Sequence, residues 1–76
     1  MGASIPDAFG RVLREYRGKA ELSQEELALE ADVDRTYISL LERGRRQPTL
    51  ETIFRLAKVL GVTPAAIVAK TSAIVG

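Results

Sequence analysis

SQEELALEADVDRTYISLLERG, residues 23–44, holds two short helices with almost nothing between them. Ser23 is placed to accept from the amide of Glu26 while the Glu26 carboxylate reaches back to the Ser23 amide, a capping box that starts the first helix. Glu25 and Glu26 also suit the positive end of that helix's dipole. Leu27, Ala28 and Ala31 make its inward face. Only Asp32 and Val33 separate it from Asp34, the next N-cap. The second helix turns Ile38 and Leu41 inward and stops at Gly44. Helices joined by so tight a turn must cross steeply, which is helix-turn-helix geometry, and Ala28 and Ala31 are small enough for a close crossing. The motif spans about residues 24–43.

Outward from this pair the apolar positions keep recurring at three and four, and strand signals are nearly absent. A preceding helix is expected from Asp7, behind Pro6, to near Lys19, with Phe9, Val12, Leu13 and Tyr16 on one face and Gly18 weakening its last turn. After the loop RRQP, where Pro48 turns Gln47 away from helical geometry, Thr49 caps LETIFRLAKVLG. Its apolar set is Leu50, Ile53, Leu56, Ala57 and Leu60, and Gly61 closes it. Thr63 and Pro64 open a last helix through about Ala69. The tail KTSAIVG is expected to be loosely held unless a partner covers Ile74 and Val75. The reading is all-α: five helices in one domain, residues 1–76. Its expected core is Phe9, Leu13, Tyr16, Leu22, Leu27, Val33, Ile38, Leu41, Leu50, Ile53, Leu56, Leu60 and Val62.

The chain has 76 residues, close to the lower size for a core without staples. It contains no cysteine and no histidine, which removes disulfides, thiolate and imidazole metal sites, Ser-His triads and cysteine nucleophiles. An enzyme is therefore the least favoured class, and no metal, cofactor or small-molecule ligand is expected. With 46% apolar and 28% charged residues it reads as soluble. No apolar run approaches the ~18 residues of a membrane span, and the start MGASIPDAFG lacks a signal peptide's basic and apolar regions, so a cytoplasmic protein is expected. A net charge of +1 says little alone; its distribution has to decide. Arg35, Arg43, Arg45 and Arg46 crowd the two ends of one helix.

The run LSQEELALEADVDRTYISLLERGRRQPTLETIFRLAKVLGV, Leu22 to Val62, resembles the Cro/repressor (XRE-type) helix-turn-helix family, with its S-Q-x-x-L-A, I-S, E-R-G, P-x-L and L-A-x-x-L-G-V anchors in register. LREYR upstream resembles that family's first helix, and the likeness extends from about Phe9 to Ile67. DRTYIS followed by ER is similar to the controller proteins of restriction-modification systems. One departure is Asp32 in the turn position usually held by Gly; Asp tolerates left-handed geometry better than most residues. The resemblance implies a lambda-repressor-like DNA-binding domain and a transcription regulator whose partner is double-stranded DNA.

On that pattern the N-terminal part of the third helix enters the major groove. Arg35 then suits guanine O6 and N7, its alternative being solvation beside Asp34 or Glu30. Thr36, Tyr37 and Ser39 follow as base-reading candidates, although Tyr37 serves equally well as packing. Leu40 is open between a methyl contact and none. Gln24, at the start of the second helix, matches a phosphate-binding position, against a plain helix-start glutamine. Arg43, Arg45 and Arg46 are candidates for phosphate contact, against a solvated charge run. The family position of Arg17 and Glu42 implies a structural ion pair between the first and third helices.

So small a domain is expected to act as a two-fold homodimer on a pseudo-palindromic operator, through Ile67, Val68 and Ile74 in the 63–76 segment, with Ile67 also able to cover the fourth helix of its own chain. Repression by occlusion and contact with RNA polymerase are both open. The alternatives are an antitoxin and a protein-interaction module on the same fold. Arginines at both ends of the third helix argue against loss of DNA binding.

Overall fold

Every helix among the described residues starts on a side-chain oxygen that accepts from an amide of its first turn, which is why four of the five starts were readable. The computed structural model describes residues 2–76 and forms α1 (Ile5–Lys19), α2 (Gln24–Ala31), α3 (Arg35–Glu42), α4 (Leu50–Leu60) and α5 (Pro64–Val75). The caps are Ser4, Ser23, Asp34, Thr49 and Thr63. Both halves of the Ser23–Glu26 capping box are made, at 2.9 and 3.0 Å. Between α2 and α3 the chain turns at Asp32 in the left-handed region, φ 57° and ψ 47°, as the family's glycine would. Asp32 meets the strain of a Cβ there at a cost of about 1–2 kcal/mol.

Packing follows the apolar stripes. The α1 helix lies against α3 and α5, α2 against α3 and α4, and α4 against α5. Leu13, Leu27, Ile38, Leu41, Leu56 and Ile67 are fully enclosed where these faces meet, each contributing about 1.5–3 kcal/mol through burial. The close passage of α1 over α3 depends on Gly10: a Cβ there would stand 2.5 Å from the Leu41 carbonyl oxygen and 2.7 Å from that of Glu42. Since backbone cannot yield as a side-chain tip does, Gly10→Ala is expected to cost about 1–3 kcal/mol despite alanine's better helix propensity, read from urea denaturation. An unchanged midpoint would show that α1 can shift away freely.

Several sequence expectations are corrected. The α1 helix begins at Ile5, two residues before Asp7, because Ser4 is the cap and Pro6 falls within the first turn. Its end at Lys19, with Gly18 in the last turn, is as expected, and the chain leaves the helix through Glu21 at φ 57°, with the Leu22 amide bonded back to the Arg17 carbonyl. The α5 helix runs to Val75 instead of ending near Ala69. Ile67, Thr71 and Ile74 continue one inward face over this length, and Thr71 Oγ1 donates to the Ile67 carbonyl so that its burial leaves no unpaired hydroxyl. Lys70 fastens the same segment to α1, its Nζ lying 2.6 Å from Glu15 Oε1 and 4.9 Å above the Tyr16 ring.

Leu50 is not core but 73% exposed. It stands at the first helical position of α4, on the edge of a stripe carried by Thr52, Ile53, Leu56 and Ala57. Thr52 can be buried because its hydroxyl and amide both meet Thr49 Oγ1. Tyr16, Leu22, Val33, Ile53, Leu60 and Val62 are half-buried around the enclosed set. No single helix among the described residues is long and apolar enough to cross a membrane.

Candidate nucleic-acid interface

Asp34 sets where α3 begins: its Oδ1 accepts from the Thr36 amide at 3.0 Å, which leaves Arg35 at the first helical position. Ile38 and Leu41 pin the inner side of the helix, and Arg35 and Thr36 in its first turn are exposed. Among the described residues Arg35 makes no ion pair with Asp34, Glu30 or any other acid. Ser39 and Leu40 are half-buried. Tyr37 is half-buried too and packs on the core cluster, so its ring supports the helix while its outer edge remains accessible.

At the other end of α3 the chain turns out through Gly44 at φ 71°. This conformation favours glycine, and a Cβ would run into the Asp7 side chain. Arg43, Arg45 and Arg46 flank the turn, all exposed and none in an ion pair among the described residues; Arg43 Nε only touches the Ser39 carbonyl at 3.4 Å. The two ends of α3 thus carry four exposed guanidinium groups, none of them in an ion pair among the described residues. Three acids pair away from these arginines, Glu15 with Lys19 and Lys70, Glu51 with Arg55 and Glu42 with Arg17, while Asp34 caps the start of α3 and the Asp7 side chain lies beside Gly44. A net charge of +1 therefore conceals one basic face.

Beneath that face lies the ion pair. Arg17 Nε and Nη2 meet Glu42 Oε2 and Oε1 at 2.6 and 3.0 Å, while Arg17 Nη1 donates to the Leu22 carbonyl. The Glu42 side chain is completely enclosed. Burial pushes its carboxyl up, but the hydrogen bonds from Arg17 and then Gln24, with the charges of Arg17 and Arg14, outweigh it and hold the group below the ordinary carboxylate value. Gln24 enters this network through Nε2, which donates to Glu42 Oε1 at 3.0 Å. The sequence reading missed this bond: its amide has two N–H donors, one spent on Glu42 and one left at the start of α2.

The residues expected at a subunit contact divide differently. Ile67 is 1% exposed and belongs to the chain's own core, because α5 turns it against the other helices; it cannot face a partner. Ile74 is half-buried on the same core. Val68 is 51% exposed and borders a shallow apolar groove of about 190 Å³ with Ile5, Phe9, Pro48, Ile53 and Thr71. Leu50 and Phe54 stand exposed one turn apart on α4. Among the described residues there is no group of three or more acidic side chains arranged to hold a metal ion.

Comparison with known proteins agrees with this geometry. The helix-turn-helix family model matches residues 13–67. The control protein C.BamHI of Bacillus amyloliquefaciens is 46% identical over 65 residues, covering 84% of this chain and 80% of its own. The crystal structure of the restriction-modification controller protein C.AhdI from Aeromonas hydrophila superposes with a TM-score of 0.79 at 40% identity, over 82% of this chain and 94% of that one. The controller protein C.Esp1396I, solved as a tetramer with its natural 35 base-pair operator, matches with a TM-score of 0.83 at 26% identity, over 96% of each chain.

Proposed function

The chain belongs to the XRE-type helix-turn-helix family, and from that premise we propose that it is a sequence-specific transcription regulator that binds a pseudo-palindromic operator as a homodimer. The carrying observation is the basic face: four exposed, unpaired arginines bracket a helix whose inner side is locked to the core. Arg35, with Thr36, Ser39 and the edge of Tyr37, reads bases in the major groove. Arg43, Arg45, Arg46 and the free donor of Gln24 hold the phosphates on either side. The similarity to control proteins favours genes of a restriction-modification system as targets.

One copy extends 34 Å along its longest axis and presents a single α3, so it spans one half-site of a symmetric operator. A second copy supplies the next recognition helix about 34 Å away, one turn of duplex further on. Val68 with Ile5 at the apolar groove, and Leu50 with Phe54 on α4, are the exposed apolar side chains such a pairing would cover. Regulation then works through occupancy of promoter DNA, which excludes RNA polymerase or offers it a neighbour, and protein concentration sets the occupancy.

Selection of bound duplexes from a random pool at near-physiological salt tests the reading. The expected result is a two-fold symmetric motif, with binding that weakens along a log-log salt slope of about −5 to −7, as about 3 to 4 phosphates per subunit require. A folded protein that enriches no motif, or a slope near zero, would overturn it.

A further inference from the structure

Arg14 stands one turn before Arg17 on α1, and neither its helix nor its neighbours had suggested a role for it. Its Nε lies 3.6 Å from Glu42 Oε1, yet the side chain is 68% exposed. The carboxylate it approaches is already satisfied: Oε2 accepts from Arg17 Nε, and Oε1 accepts from Arg17 Nη2 and Gln24 Nε2. One guanidinium cancels one carboxylate, so Arg14 is the second cation at a place that holds a single anion. Among the described residues it donates no hydrogen bond.

That arrangement has a direction. The attraction of Glu42 draws the Nε edge of Arg14 toward the protein, and the outer fork of the guanidinium is left for an anion in solvent, where two parallel N–H groups match two oxygens. Gln24, the phosphate candidate at the start of α2, donates to the same Glu42 oxygen at 3.0 Å, so its amide and the Arg14 guanidinium converge on one carboxylate oxygen. We propose that Arg14 is a ligand of the DNA backbone, held beside Gln24 by the buried Glu42 carboxylate, so that the phosphate contacts extend from the Arg43–Arg46 loop across to α1. The anion is a phosphodiester of duplex DNA. Glu42 is then a positioning residue, joining α1, α2 and α3 at the edge of one interface.

The inference rests on the DNA-binding reading, and the experiment separates the two. Binding of the full chain to the selected duplex is measured by fluorescence anisotropy over a salt series, for wild type and Arg14→Gln, with thermal unfolding of both. Arg14→Gln is expected to bind roughly tenfold more weakly and to flatten the slope by about 2 for the dimer, one phosphate per subunit, at unchanged site preference and melting temperature. An Arg14→Gln slope equal to that of wild type, whether or not affinity falls, would overturn the proposal and leave Arg14 a solvated or merely structural arginine. Should wild type itself show no salt-dependent binding, the DNA reading fails first and the proposal with it.

Discussion

Arg17→Ala is expected to destabilise the fold by about 3–5 kcal/mol, because it strands the enclosed Glu42 carboxylate without its partner. For a chain of this length the whole stability is roughly 4–11 kcal/mol, so the variant should lose a large share of it and unfold at a clearly lower denaturant concentration. Chemical denaturation followed by circular dichroism reads the loss; a change under 1 kcal/mol would show that water reaches Glu42 when Arg17 is gone. The pair also fixes an acid dependence. The folded carboxyl is held below its unfolded value, so its contribution is fully present above the ordinary glutamate range near pH 4.5 and is lost as pH falls through the lower folded value. Glu42→Gln should flatten the stability curve across that acidic window while keeping the hydrogen bond from Gln24 within reach.

The second large effect is on recognition. If Arg35 spans a guanine, Arg35→Ala removes about 1–3 kcal/mol per half-site, and a symmetric dimer loses about 2–6 kcal/mol of operator affinity. Its exposure and lack of any protein partner mean the melting temperature should not move. Repeated selection with the variant should relax one symmetric pair of positions and leave the salt slope intact, since no phosphate contact is touched. Affinity lost equally on operator and scrambled duplex would instead make Arg35 a backbone contact.

Helix existence was legible because each start carries a local oxygen acceptor, a signal three residues long. Helix ends were less so. The continuation of α5 past Ala69 depends on Thr71 and Ile74 meeting other helices and on Lys70 reaching Glu15, 55 residues earlier, which no local pattern contains. Leu50 and Ile67 show the same boundary from opposite sides: both are apolar on amphipathic helices, and only the packed neighbours decide that Leu50 faces solvent and Ile67 does not. The clustering of Arg35, Arg43, Arg45 and Arg46 was visible in the sequence, and the Arg17–Glu42 pair, which the structure forms, came from family position alone. Arg14 was passed over, although its i, i+3 spacing to Arg17 puts both on one side of α1 and offered a hint.

On α3 the residues that fold and the residues that face outward scarcely overlap. Asp34, Ile38, Leu41 and Glu42 anchor the helix; Arg35 and Thr36 are exposed, with Ser39 half-buried beside them. Descendants of this chain can therefore exchange their outward letters one at a time without passing through a misfolded ancestor. Duplicated copies can drift apart in the site each prefers while inheriting the same scaffold. Tyr37, which leans on both sides of that division, is the position where such divergence would be slowest.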